Sequence, residues 1–251
     1  MNSHTHDGKV PAVTLVFWIV KILATTLGET AGDAVSMSMD LGYLVGTAIF
    51  GAIFVVAVIA QIASGRFRPL LYWSTIVATT TVGTTLADFA DRSLGIGYAG
   101  GSTLLCALLL GSLSAWYLAA GSVAIGTVNT PRIEAFYWLT IMFSQTLGTA
   151  LGDWTADSAG FGYVGSAVLF GSLQGALALA YRWTSVSRTL LFWAAFILTR
   201  PLGAVLGDFL DKPLANGGLE LSRYTASLVL LILMALLLAG FPQRAAKPEC
   251  R

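Results

Sequence analysis

Charged residues are scarce in this chain. Asp, Glu, Lys and Arg make up 11% of its 251 residues, where soluble domains carry roughly 25%. With 56% hydrophobic residues, a water-soluble fold is excluded. Cysteine and histidine are rarer still, at two each. Cys106 lies inside an apolar run and Cys250 near the end, so neither a disulfide framework nor a thiolate metal motif is available. His4 and His6 fall in a short polar stretch read as a tail. That stretch, MNSHTHDGKVPAV, lacks the charged, apolar and cleavage regions of a signal peptide. A net charge of +1 argues against nucleic acid as a partner. No P-loop or other nucleotide motif occurs. No Tyr-Asp and Leu-Gly-Asp pair of membrane aspartates occurs, and no Ser/His arrangement. An enzyme is therefore not expected, and no cofactor.

Long apolar runs are what the chain has instead. They cover roughly residues 10–33, 42–64, 70–90, 99–124, 134–154, 163–182, 189–209 and 221–241, each near the ~20 residues of a membrane-crossing helix. The alternating segments of a membrane β-barrel are absent. The expected fold is an all-α integral membrane protein of eight transmembrane helices in a lipid bilayer.

Those helices come from a repeat. Trp18, Trp73, Trp138 and Trp193 serve as origins; ten residues on stand Gly28, Gly83, Gly148 and Gly203. Fifteen residues on stand Asp33, Asp88, Asp153 and Asp208. Four sites do not align so well by chance. The expected organisation is a tail over 1–11, a membrane domain over 12–242 and a tail over 243–251. Its four two-helix repeats run over about 12–69, 70–133, 134–188 and 189–242. Cations gather in alternate connections (Lys9; Arg66 and Arg68; Arg132; Arg182 and Arg188; Arg244, Lys247 and Arg251). The positive-inside rule then predicts cytoplasmic termini in a bacterial inner membrane. Two helices per repeat make the repeats parallel, pseudo-symmetric about the membrane normal.

Read by depth, each tryptophan is expected at the cytoplasmic interface, and the aspartate about 22 Å further along at 1.5 Å per residue. Positions +7, +11 and +15 share one helix face. They read Thr25, Glu29, Asp33; Thr80, Thr84, Asp88; Gln145, Thr149, Asp153; and Arg200, Ala204, Asp208. Lys21 extends the first stripe. Charges at bilayer depth cost several kcal/mol, so the four stripes should converge on one axis. Small residues beside them, Gly28/Gly32, Gly83/Ala87, Gly148/Gly152 and Gly203/Gly207, suit close helix packing.

Glu29, Asp33, Asp88, Asp153 and Asp208, set against Lys21 and Arg200, leave three negative charges on the inner helices. Such a cavity favours a cation, and carboxylate oxygens favour a hard or borderline one such as Mn²⁺. The five carboxylates are the expected metal ligands; Thr84, Gln145, Thr149, Lys21 and Arg200 complete the expected ion pathway. Arg200 precedes Pro201, and each buried cation is expected to find a counter-charge on a neighbouring helix or through water.

With Trp…Gly…Gly-Asp segments in four tandem copies, the chain resembles a bacterial membrane-protein family catalogued by its repeat. The resemblance covers about residues 12–242 and implies fold and location. A looser likeness, of site chemistry, is to manganese/calcium exporters whose paired repeats carry Glu-x-Gly-Asp on facing helices. Glu29-Thr30-Ala31-Gly32-Asp33 approaches that pattern with one extra residue; Leu147–Asp153 and Leu202–Asp208 lack the glutamate. The function expected is proton-coupled secondary transport, as an exporter, of a small divalent cation. The alternatives are a non-transporting anchor or regulator, or a carrier of a small organic ligand. Oligomeric state is left open.

Overall fold

A computed structural model of the chain describes residues 8–246. His4, His6, Lys247, Cys250 and Arg251 lie outside them. Eight α-helices occur among the described residues: α1 (Leu15–Asp33), α2 (Gly42–Ala63), α3 (Pro69–Asp88), α4 (Tyr98–Ala120), α5 (Pro131–Asp153), α6 (Gly162–Trp183), α7 (Arg188–Asp211) and α8 (Arg223–Gly240). The odd-numbered helices carry the Trp and Asp of each repeat. Their starts are capped: Thr14, Thr130 and Ser187 each accept a backbone N–H of the first turn, and Pro69 and Pro131 occupy first-turn positions, where a missing N–H costs nothing.

Packing sorts the helices into two shells. α1 packs on α3 and α7, and α5 packs on α3 and α7, so the odd helices form a closed ring of four. Each even helix lies on the odd helix of the following repeat: α2 on α3, α4 on α5, α6 on α7, and α8 back on α1. Burial follows. In α1 and α7, 61% and 72% of the most apolar stretch is buried; in the four outer helices the share is 11–17%. Leu44, Val56, Leu104, Leu118, Val168 and Leu236 stand exposed on those outer faces, as lipid-facing residues should. Six of the eight helices, all but α3 and α5, are long and apolar enough to cross a membrane. α3 carries six threonines and α5 carries Arg132, Glu134 and Gln145. These two helices face protein inside the ring, so hydropathy is not demanded of them.

Three of the four tryptophans are buried against protein. Trp73, Trp138 and Trp193 are 1–4% exposed, part of an aromatic cluster with Phe17, Tyr72, Tyr137 and Phe192 that closes one end of the ring. Tyr72 packs edge-on to Trp73 at 5.3 Å, Trp116 of α4 edge-on to Trp193 at 5.7 Å, and the Tyr72 and Tyr137 hydroxyls bond at 2.6 Å. Trp18 alone of the four origins is partly exposed. The physical reason is volume: large rings fill the end of a four-helix ring and gain edge-to-face attraction there. Residues 8–12 pack beneath this plug. Lys9 pairs with Glu134 and bonds to the Ile62 carbonyl at 3.1 Å, while Pro11 and Ala245 form a bridge.

Candidate functional site

The ring's axis is polar because its glycines are sockets. A Cβ on Gly28 would overlap Thr80, one on Gly83 would reach the Gln145 backbone at 3.0 Å, one on Gly148 would overlap Arg200, and one on Gly203 would overlap Thr25. Each +10 glycine thus receives the +7 residue of the next helix around the ring. The +14 row repeats the device: Gly32 faces Thr84, Gly152 faces Ala204 and Gly207 faces Glu29. Small residues in membrane helices buy close backbone approach, and here the approach turns the +7 and +11 side chains inward.

At the +7 and +11 levels Arg200 spans the ring. Its Nη2 donates to Glu29 Oε2 of α1 at 2.8 Å, to Thr84 Oγ1 of α3 at 2.7 Å and to the Thr149 hydroxyl of α5. Thr84 also donates to Glu29 Oε2 at 3.3 Å. Arg200 is fully buried and Glu29 2% exposed. One guanidinium from α7 therefore touches every other helix of the ring. The expectation that Arg200 finds a carboxylate on a neighbour holds, and Glu29 is that carboxylate.

Lys21 behaves differently. Its ammonium lies 3.6 Å from the Phe196 ring centroid and has no hydrogen-bond partner among the described residues. No direct carboxylate partner for Lys21 occurs among the described residues. The equivalent positions on the other helices are Ile76, Ile141 and Phe196, which offer a ring face and hydrocarbon, so a cation–π contact is what remains.

The four aspartates sit at the opposite end, each 1–4% exposed. After α1, α3 and α5 the chain makes one π-helical turn (Ala34–Ser38, Phe89–Ser93 and Trp154–Ser158), whereas α7 runs on to Asp211. Position +19 then supplies two cations beyond the +7, +11 and +15 stripe. Arg92 pairs with Asp88 at 2.9 Å and with Asp153 at 3.4 Å. Lys212 pairs with Asp208 at 3.2 Å and with Asp33. Arg223, the first residue of α8, binds Asp211 at 2.8 Å. The result is two clamps, each a cation between two aspartates on adjacent ring helices. Burial opposes the charge on Lys212, yet Asp208, Asp33 and Asp211 together hold its ammonium above the ordinary value.

These clamps correct the charge count. Five carboxylates face four cations, Lys21, Arg92, Arg200 and Lys212, so one negative charge remains rather than three. They do not disperse the carboxylates. Oxygens of Glu29, Asp153 and Asp208 lie within 4.8 Å of one another, as do oxygens of Asp33, Asp208 and Asp211. Of the expected ligands, Asp88 belongs to neither trio. Thr84 and Thr149 join the centre through Arg200. Gln145 is fully buried on the axis, with both amide atoms lacking a partner among the described residues.

Apolar outer helices around a ring of polar ones, built four times over, define a multi-pass membrane protein of tandem two-helix repeats. Residues 16–67, 71–122, 136–187 and 191–241 each match the family described as Repeat of Unknown Function (DUF347). The chain belongs to that family. No curated protein and no solved structure matches it.

Proposed function

We propose that the chain is a secondary transporter, an exporter, of a small divalent cation such as Mn²⁺, working in a bacterial inner membrane with eight spans and cytoplasmic termini. In this reading the four repeats are related about the membrane normal. The tryptophan plug lies on the cytoplasmic side and the aspartate end lies outward.

One observation carries the reading: the oxygens of Glu29, Asp153 and Asp208 gather within 4.8 Å on the axis, drawn from three different ring helices. Each of the two clamps, Asp88–Arg92–Asp153 and Asp33–Lys212–Asp208, keeps one negative charge. A divalent cation between them is neutralised by the pair. Oxygen-only donors of this kind suit a hard or borderline ion. Arg92, Lys212 and Arg200 act as tethered counter-ions that occupy the carboxylates until the substrate displaces them. Because carboxylates must shed protons to bind metal, proton countertransport follows from the same oxygens.

The test is flux. Protein reconstituted in vesicles loaded with a Mn²⁺-quenched dye should transport Mn²⁺ and move protons in the opposite direction. Asp153→Asn and Asp208→Asn should abolish both signals. Vesicles of wild-type protein that pass neither Mn²⁺ nor another divalent ion under an imposed pH gradient overturn the reading.

A further inference from the structure

Halfway along the axis, between the aromatic plug and the carboxylates, three fully buried side chains carry more hydrogen-bond donors than the protein satisfies. Lys21 Nζ has no partner among the described residues. Arg200 spends Nη2 on Glu29, Thr84 and Thr149, which leaves Nε and Nη1 without partners. Both amide atoms of Gln145 are in the same state. They belong to α1, α7 and α5, at the +3 and +7 levels of the ring. Against all these N–H groups stands a single unused acceptor among the three side chains, Gln145 Oε1.

Charge points the same way. Glu29 answers Arg200, whereas Lys21 has no counter-charge among the described residues. The four aspartates lie further out, with Arg92 and Lys212 between them. An uncompensated charge in a membrane interior costs several kcal/mol, and unpaired buried donors add to it. Water brings as many donors as acceptors, whereas an anion only accepts. Ile76, Ile141 and Phe196, all fully buried, occupy the positions equivalent to Lys21. They leave hydrocarbon walls suited to a compact, weakly hydrated ion rather than to a carboxylate or phosphate.

We propose that Lys21, Gln145 and Arg200 form a binding site for a small monovalent anion of the halide class, one per chain. The site adjoins the Glu29–Asp153–Asp208 trio through the Arg200–Glu29 pair, and it stands whether or not the protein carries metals. Its occupant would supply the counter-charge that Lys21 lacks among the described residues.

The experiment is equilibrium binding of radiolabelled chloride to purified protein in a gluconate buffer. Saturable binding near one per chain, displaced by bromide, is expected. Lys21→Met and Gln145→Leu should each weaken it roughly tenfold or more, about 1.4 kcal/mol, and Lys21→Arg should retain it. Thr103→Ala, on the exposed face of α4, should not change it. Size-exclusion profiles establish that each variant is folded; should Lys21→Met fail to fold, the uncharged Gln145→Leu decides. Absence of saturable chloride binding by the wild type overturns the proposal. So does unchanged binding by a folded Lys21→Met or Gln145→Leu variant.

Discussion

Glu29→Gln should be the most damaging conservative change in the protein, and Arg200→Met should undo the damage. Among the described residues, Glu29 is the one carboxylate that Arg200 touches, at 2.8 Å, and both groups are nearly solvent-free. Removing one partner of a buried ion pair costs about 3–5 kcal/mol, because the other charge stays buried and unmatched. Hydroxyls of Thr84 and Thr149 still accept from Nη2, and each offsets about 0.5–1.5 kcal/mol. At mid-range values the net loss is on the order of 2 kcal/mol. At roughly 2–4 °C per kcal/mol for a chain of this size, melting should fall by about 4–8 °C. In Glu29→Gln/Arg200→Met no charge is stranded, and most of the loss should return. Lys21→Met in the Glu29→Gln background should not restore it, since Lys21 faces Phe196 rather than Glu29. The assay is thermal unfolding of detergent-solubilised protein across the mutant cycle, in chloride-free buffer. A Glu29→Gln variant that melts with the wild type refutes the reasoning, as does rescue by Lys21→Met equal to that by Arg200→Met.

Gly148→Ala should cost about 1–3 kcal/mol through overpacking, since its Cβ would overlap Arg200; Gly111→Ala, with nothing nearby, should be silent in the same melts. Lys212→Met should destabilise the aspartate end at neutral pH by leaving Asp208 unpaired and Asp33 with only the longer Arg223 contact, at 3.9 Å. A folded Lys212→Met variant that melts with the wild type at neutral pH contradicts the clamp. In the wild type the Lys212 ammonium is held above its ordinary value. Its stabilisation is therefore full below the unfolded-state value and is lost only as pH rises through the raised one, so melting should be flat in mild alkali. Single cysteines at positions Ser38, Ser93, Ser158 and Asn216 should react with an impermeant reagent added outside intact cells. Reaction of any two from the cytoplasmic side alone reverses the proposed orientation.

The ring was legible because side chains that must avoid lipid recur at fixed register. Positions +7, +11 and +15 fall on one helical face, and the structure brings all four faces to one axis. Arg92 and Lys212 were legible by the same rule and were missed: each stands four residues beyond its aspartate, in the i,i+4 relation of the stripe itself. An Asp–Lys–Pro or Asp–Arg–Ser segment after an apolar run reads as a solvated loop, and nothing in that pattern says a π-helical turn or an extended α7 carries the cation inward. The burial of Trp73, Trp138 and Trp193 was not legible. An indole at the end of an apolar helix suits a membrane interface and a packed ring end equally well, and the pattern along one helix does not show which rings meet across the bundle. Lys21 sits on Phe196 because Phe196 is its ring neighbour, a contact set by which helices adjoin rather than by spacing along one.

The account rests most heavily on the trio of Glu29, Asp153 and Asp208, and binding of radiolabelled Mn²⁺ to purified protein across a pH series tests it most directly. Binding should saturate near one ion per chain, weaken as pH falls, and disappear in Asp153→Asn and Asp208→Asn variants that remain monodisperse. Wild-type affinity in both variants, or no Mn²⁺, Mg²⁺ or Ca²⁺ binding by the wild type at any pH, would leave these aspartates as counter-ions for Arg92 and Lys212 and contradict the transport site.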